Sequence, residues 1–567
     1  MASLITKNIN GYDYYYLVES KRVNGKPKYR NQLYLGPVDS VHEKLREGFS
    51  TPTPLYSKVF EFGGIAALYD IAKRLDVVSL IDSICPKRNQ GLSIGTYLLL
   101  AAINRATDPS SKSQFSEWYG RTFLSRVLSV DSNALNSQRF WDNMSLWNKE
   151  DIEKFEIQFV KRIVKDYGIS THCLVYDATN FFTYIDTMNS KASLAQRGHN
   201  KEKRNDLKIV CLSLLVSAED EIPLFHEVYA GNISDSVQFT NVVNKLKGRY
   251  YEVFGQEADI TIVFDRGNNS EDNIDLLASE ENAFHYVGGL TQSQCKYLMD
   301  IPKTEFQPLK GEEFRETSAY RTKGNVFGRE HTLVVADNPE LREGQLQGIH
   351  INMEKCQGKL AQLQERLAGW NLGLLTKGKK PTKESVEKNI KEILKPQWMD
   401  DLFKITVLSS AKYPQISIEP RYDQLAIIKD KYLGKSVLFT DQEEWSNEQI
   451  VGSYRSAWHV ETAFRLMKNT KHLTVRPMWH WTNQKIEVHI FICILAFRLC
   501  SLLHKELKLK GVDVSINEML NKLSEKKQVM NVYKKGKGTT ISYSLTLEDD
   551  IVEKIVESQR LDSYKLS

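Results

Sequence analysis

The chain has no paired cysteines. Its seven, at 85, 173, 211, 295, 356, 493 and 500 of 567 residues, are scattered and never spaced Cys-x2-Cys. That excludes a disulfide framework and a zinc ribbon, and it fits a reducing cytoplasm. There is no His-x3-His pair either, and His172, His199, His226 and His285 stand singly, the pattern of hydrogen-bonded structural histidines more than of metal ligands. Long apolar runs are missing. The most hydrophobic, Ile490–Phe497 between His489 and Arg498, has eight residues, against the roughly 20 that span a bilayer, so it predicts a buried core helix and no membrane. Residues 1–7 carry no apolar signal core, which argues against export by a cleaved signal. No internal repeat or low-complexity run stands out. Charge of one sign is not in excess: a net +5 and a pI near 8.5 permit an anionic partner without demanding one.

What the chain does have is a patterned stretch from Tyr454 to Lys468, Tyr-Arg-Ser-Ala-Trp-His-Val-Glu-Thr-Ala-Phe-Arg-Leu-Met-Lys. At 100° per residue, positions seven apart fall nearly on one side of a helix, so Tyr454, Glu461 and Lys468 share a face, with Trp458 and Arg465 between them. Val460, Phe464 and Met467 form a separate apolar stripe on which the helix docks. Taken alone, this is also the pattern of a solvated helix.

Two upstream segments bear on that choice. Cys173-Leu174-Val175-Tyr176-Asp177 and Ile260-Thr261-Ile262-Val263-Phe264-Asp265 are strand-like runs that end in an aspartate and continue into polar residues, Ala178-Thr179-Asn180 and Arg266-Gly267-Asn268-Asn269. An acid closing a buried strand must be paired, hydrogen-bonded or bound to metal. Two such strands and one such helix suggest a three-carboxylate metal site. Asp186 reads as surface, Asp206 as a strand-entry residue and Asp235 as a helix cap.

Asp177 in Tyr-Asp-Ala-Thr-Asn, Asp265 in Phe-Asp-Arg-Gly and Glu461 in its helix resemble the DDE triad of bacterial and archaeal insertion-sequence transposases. The likeness is to the class with a long insertion between the second Asp and the Glu and a Tyr-x2-Arg-x3-Glu-x6-Lys signature. Tyr454, Glu461 and Lys468 fit that signature, whereas residue 457 is Ala where it has Arg, leaving Arg455 and Arg465 as candidates for the missing charge. The similarity extends to Gly198–Leu207, Gly231-Asn232-Ile233-Ser234-Asp235, Arg476-Pro477, His489-Ile490 and Leu495-Ala496.

The resemblance implies an α/β chain with an RNase H-like catalytic core, a mixed five-stranded sheet with helices, interrupted by a β-plus-helical insertion. It implies metal-dependent cleavage at mobile-element ends and strand transfer into target DNA. Asp177 would bridge two ions, Mg2+ or Mn2+, with Asp265 and Glu461 completing the shells. Tyr454, Arg455, Arg465, Lys468 and Arg266 are the candidate DNA contacts. The implied partners are double-stranded DNA, as element ends and as target, and a second copy of the chain in a synaptic homodimer. The implied location is the cytoplasm, at the nucleoid of a prokaryote. Two alternatives stay open: a nuclease of the same fold that cuts without joining, and an inactive transposase-derived DNA-binding protein. Trp370 and Trp398 of the insertion, and Trp445 just after it, are candidates for stacking on a displaced base.

Along the chain, residues 1–50 predict a β-hairpin module around Asn24-Gly25, and residues 51–168 a helical, DNA-binding domain with helices over 63–75, 92–105, 113–128 and 148–167. Arg105, Lys112, Arg121, Arg126 and Arg139 are its candidate phosphate contacts. The first part of the core covers 169–290, with strands at 172–177, 207–217, 222–230, 259–265 and 284–289 and helices over 234–253 and 270–281. The insertion, 291–440, predicts a β platform (330–336, 403–409, 415–418 and 423–428) carrying a helical hairpin tipped by Lys377–Lys383. The second part of the core covers 441–507 and a tail domain 508–567.

Overall fold

The computed structural model describes residues 2–566 apart from 24–25, 47–52, 87–90, 187, 199–203, 205, 255–258, 280–283, 410, 470 and 536–537. The chain divides into two compact units, one of residues 1–63, 121–123 and 523–567, the other of 64–120 and 124–522.

In the first unit, Ala2–Ile9, Tyr12–Val23 and Lys26–Pro37 form an antiparallel sheet of three strands. The expected hairpin is there, although its Asn24-Gly25 turn lies outside the described residues. A second hairpin precedes it. Asn10 and Gly11 both have positive φ, 54° and 87°, the backbone that lets an Asn-Gly turn match the twist of its strands. A second sheet joins Tyr56–Glu61 to Lys527–Lys535 and Gly538–Leu545 from the far end of the sequence.

The second unit is built on a mixed sheet of nine strands. These are β1 (Cys173–Thr183), β2 (Lys208–Ser217), β3 (Pro223–Ala230), β4 (Thr261–Phe264), β5 (His285–Leu290), β6 (Gln307–Pro308), β7 (Ser318–Val326), β8 (Arg329–Asp337) and β9 (Lys435–Thr440). Their order is β6-β7-β8-β9-β5-β4-β1-β2-β3, with β1, β4 and β5 parallel at the centre and antiparallel pairs on either side. The central strands read as near-continuous apolar runs because helices cover both faces.

Helices α1 (Lys149–Tyr167), α2 (Asp235–Phe254), α3 (Asn447–Arg455), α4 (Ala457–Lys468) and α5 (Asn483–Leu509) pack on or beside this sheet. Helix α1 opens with a capping box between Asn148 and Asp151 and stops at Gly168, whose φ of 60° suits a residue without Cβ. Helix α5 contains the Ile490–Phe497 run and is buried along nearly its whole length, the core helix expected of it.

Five expectations need correction. The helix expected over 113–128 is two, Phe115–Arg121 and Leu124–Val127, interrupted at residues 122–123. The sheet has nine strands instead of five, because β8 of the insertion pairs with β9, which pairs with β5, so the insertion lengthens the central sheet. Strand β1 does not end at Asp177: residues 178–183 continue it, paired with 208–213. Residues 423–428 are not a strand. They lie in the helix Tyr422–Lys431, which buries Leu425 and Ile428, three positions apart. The Tyr454–Lys468 stretch is two helices, α3 and α4, separated at Ser456. There the hydroxyl bonds back to the Ser453 carbonyl oxygen at 2.5 Å and His459 N bonds to Ser456 O, a three-residue step; back-bonding of this kind bends helices. The helical hairpin does form, from Pro339–Asn371 and Lys383–Ile393. Leu360, Leu363 and Leu367 of one arm and Val386 and Ile390 of the other share one apolar cluster.

Deep in the second unit, α1, α5 and β3 meet at a buried carboxylate. Glu156 Oε1 accepts from Arg498 Nη2 and pairs with His226 Nδ1 at 2.6 Å; all three side chains are almost wholly inaccessible. Arg498 also donates to the backbone oxygens of Pro223, at 2.9 Å, and Leu224, at 2.7 Å. Burial alone would raise the Glu156 carboxyl, but His226, Arg498 and Arg249 outweigh it and hold it near 2, below the 4.5 of an exposed glutamate. Removing one member of a buried ion pair leaves the other uncompensated. Glu156→Ala is therefore expected to destabilise the second unit by about 3–5 kcal/mol, read as a lower midpoint in thermal or denaturant unfolding. Because the folded carboxyl is depressed, its contribution is complete above pH 4.5 and is lost as pH falls toward 2. Glu156→Gln should flatten the acid limb of the stability curve over that window.

Candidate active site

Strand β1 pairs in parallel with β4, with Tyr176 opposite Phe264. The next residue on each chain is an aspartate, and both are extended, so Asp177 and Asp265 occupy neighbouring positions on one face of the sheet. Phe239 of α2 identifies that face. Its ring lies 5.0 Å from the Tyr176 ring and 5.0 Å from the Phe264 ring. Tyr176 and Phe264 thus point toward α2, and the aspartates to the opposite side. Asp177 is half-buried in mid-strand, its Oδ1 accepting from Ala178 N at 2.7 Å. Asp265 is exposed where β4 gives way to a 3-10 turn, Arg266–Asn268.

Helices α3 and α4 lie over this acidic face. Tyr454 of α3 sets its phenol beside Asp265 and Arg266; burial raises the phenol and the Asp265 charge raises it further, so it stays protonated as a hydrogen-bond donor. A glycine makes room for it: a Cβ on Gly289 of β5 would stand 2.2 Å from the Tyr454 Oη. Helix α4 packs along β1 by Val460, Ala463, Phe464 and Met467. Near its end Lys468 Nζ lies 5.8 Å from the ring centroid of Phe181, which shares the Asp177 face of β1 by strand alternation. Glu461 is exposed on α4.

The register thus makes Asp177 and Asp265 neighbours, while Glu461 is carried, exposed, on α4, which packs against β1 and β2. Among the described residues no group of three His, Cys, Asp or Glu side chains is arranged to hold a metal ion, so the three carboxylates are not a preformed cage. Their chemistry suits a hard divalent cation, since all three offer carboxylate oxygen.

The candidate DNA contacts separate. Arg266 and Arg465 are exposed, and Lys468 stands at the end of α4. Arg455 is committed elsewhere. Its guanidinium donates to Glu313 O at 2.9 Å and Thr317 Oγ1 at 2.8 Å and lies 5.2 Å from the Phe314 ring centroid, so it fastens α3 to the 313–317 segment. Arg105 and Lys112 are buried, whereas Arg121, Arg126 and Arg139 are exposed.

Of the single histidines, His226 is held by Glu156 and His285 by Asp441 at 2.9 Å; His172 is exposed, and His199 lies outside the described residues. Asp186 and Asp206 are both exposed, the latter held by Arg204; Asp235 begins α2, but its side chain is outside the described set.

Trp370 packs in the insertion against Tyr413, Trp398 lies against Tyr432, and the Trp445 carbonyl accepts from Arg321. The exposed tryptophans are others, among them Trp458 on α4, Trp479 and Trp481. Trp479 is 65% exposed and its ring centroid lies 4.9 Å from that of Tyr184, just beyond β1. The available signal was the Trp479-His480-Trp481 triplet, two indoles in a short loop after Arg476-Pro477.

Residues 173–497, more than half of the chain, match the family model described as Transposase DDE domain. No curated protein matches the chain. Among solved structures, it is similar to the one described as "Cryo-EM structure of piggyBac transposase synaptic complex with hairpin DNA (SNHP)", at 9% identity and a TM-score of 0.36, over 81% of this chain and 79% of that one. The matched span contains all three carboxylates together with the strands and helices that carry them, and the chain belongs to the Transposase DDE domain family.

Proposed function

We propose that this chain is a DNA transposase that cleaves the ends of a mobile element and joins them to target DNA, using Asp177, Asp265 and Glu461 on an RNase H-like core. The observation that carries the reading is the β1–β4 register, which makes Asp177 and Asp265 neighbours on one face of the sheet, with the Glu461 helix packed against β1. Asp177, Asp265 and Glu461 would together hold the divalent ions. Mg2+ or Mn2+ held there would supply activation of the attacking water and stabilisation of the leaving 3′ oxygen.

The chain's other groups act on the DNA. Tyr454, kept protonated, donates a hydrogen bond at the Asp265 side, and Lys468 offers a point charge to the phosphodiester backbone from the far end of α4. Arg266 and Arg465 add exposed positive charge. Two element ends must be held together before joining, and a homodimer does so with one such site per end. The freed 3′ hydroxyl then replaces water as the nucleophile at the same carboxylates, which distinguishes a transposase from a nuclease of the same fold.

In a Mg2+-dependent assay on DNA carrying the element ends, Asp177→Asn, Asp265→Asn and Glu461→Gln should each reduce cleavage on the order of a thousandfold, since several kcal/mol of transition-state stabilisation is lost. Full activity in any of them overturns its role. Pre-cut ends offered with target DNA should yield joined product; cutting without joining would make the chain a nuclease. Gly289→Ala should impair cleavage by pushing on the Tyr454 phenol. In a Tyr454→Ala background the same change should cost nothing more, and an additive loss would show that the two positions act independently.

A further inference from the structure

A cavity of about 700 Å3 lies at the end of α4, and four cationic side chains line it: Arg105, Lys112, Lys468 and Arg476. Among the described residues that line it there is no Asp or Glu. Two of the four are buried with nothing to neutralise them. Arg105 and Lys112 are each 7% exposed, and Lys112 Nζ and Arg105 Nε have no hydrogen-bond partner. Arg105 donates from Nη2 to Ser110 O at 3.3 Å, while Lys112 Nζ lies 4.6 Å from the ring centroid of Phe140 and 5.5 Å from that of Phe115.

Removing a cation from water costs several kcal/mol, and buried charges are ordinarily paired. Here burial lowers both groups from their usual ranges, and the Arg105 charge lowers Lys112 further. Two ring faces offset only part of that cost. A roomy cavity whose described lining offers cations and hydroxyls and no carboxylate suits an anion.

We propose that this cavity is a phosphate-binding pocket for a nucleic-acid strand, with Arg105 and Lys112 as its floor and Lys468 and Arg476 at its side. Phosphate recognition stands on the cavity itself; the identity of the strand rests on the transposase reading. The placement suits a strand already engaged at the acidic face. Lys468 reaches over Phe181, which is four residues along β1 from Asp177, or about 13 Å.

The test uses the full-length protein and the fluorescence of Trp141 and Trp479, which also line the cavity. Titration with inorganic phosphate at constant ionic strength should give a saturable change, and Lys112→Met should weaken that binding at least tenfold while unfolding at the same temperature as the wild type or higher. Ser111→Glu, which brings a carboxylate to an exposed lining position, should abolish the phosphate response even if Lys112→Met fails to fold. Unchanged affinity in both variants, or no saturable response in the wild type, overturns the pocket.

A 5′-phosphorylated oligonucleotide should compete with inorganic phosphate. If it outcompetes its 5′-hydroxyl counterpart the pocket takes a strand end, and if the two compete equally it takes an internal phosphodiester. Failure of both to compete overturns the assignment to a strand. Asp177→Asn should keep the phosphate response, so loss of the pocket and loss of the catalytic reading are separate outcomes.

Discussion

The parallel pairing of β1 with β4 is the constraint on which the acidic face depends. Parallel neighbours cannot be joined by a tight turn, and the chain connects these two through β2, β3 and α2. Their register is held from behind, where the Phe239 ring meets Tyr176 and Phe264 together. A slip of one residue in either strand would turn its aspartate to the α2 side and expose an aromatic in its place. The same apolar contact that stabilises the sheet therefore sets the geometry of the carboxylates one residue further on.

Two centres of buried charge in this unit follow opposite logics. At Glu156 every charge has its complement: Arg498 and His226 address the carboxylate directly, and Arg249 approaches from the next shell of residues while also reaching Glu227 at 2.7 Å. Such a knot ties α1, α5 and β3 to one arrangement. At Arg105 and Lys112 the charges face a cavity with no acid in it. One buried site sets cations against a carboxylate, and the other has no carboxylate among its described lining residues, the arrangement expected of a site that takes an anion from outside.

Much of the central sheet was legible in the sequence because its strands are apolar runs bounded by polar turns. The Asp265 strand and the β2–β3 pair stand where the sequence indicates them. Asp177 was read as a strand end because Thr179 and Asn180 look like turn residues, yet they are half-buried residues of a strand that goes on to bury Phe181 and Phe182. Residues 423–428, Asp-Gln-Leu-Ala-Ile-Ile, are short and apolar enough to serve in either element, and a helix followed by a strand at 435–440 was the arrangement that fitted the sheet. The continuous Tyr454–Lys468 helix failed at Ser456, where a hydroxyl bonding to a carbonyl competes with the helix ladder, a feature that seven-residue periodicity does not register. The cation-lined cavity was beyond sequence reading altogether. Arg105, Lys112, Lys468 and Arg476 are separated by as much as 371 positions in a single chain, and only packing shows that they share a space without an acid.

The acidic face and the basic cavity explain each other. Asp177, Asp265 and Glu461 form no closed cage, and Asp265 and Glu461 are exposed; crowding three carboxylates without a cation would set like charges against each other at close range. An open set avoids that repulsion, but it leaves a negative face, which on the proposed reading would repel a phosphodiester. The counterweight must be positive, close by and on the same side of the sheet. Lys468 answers to all three conditions, because it shares α4 with Glu461, lies over the Asp177 face at Phe181, and lines the cavity with Arg105, Lys112 and Arg476. On that reading a strand attracted to those cations would be drawn along β1 toward the aspartates, and its phosphates would offset the buried charge. On this account the positive cavity supplies the binding free energy and the carboxylates supply the chemistry, with α4 as the element common to both.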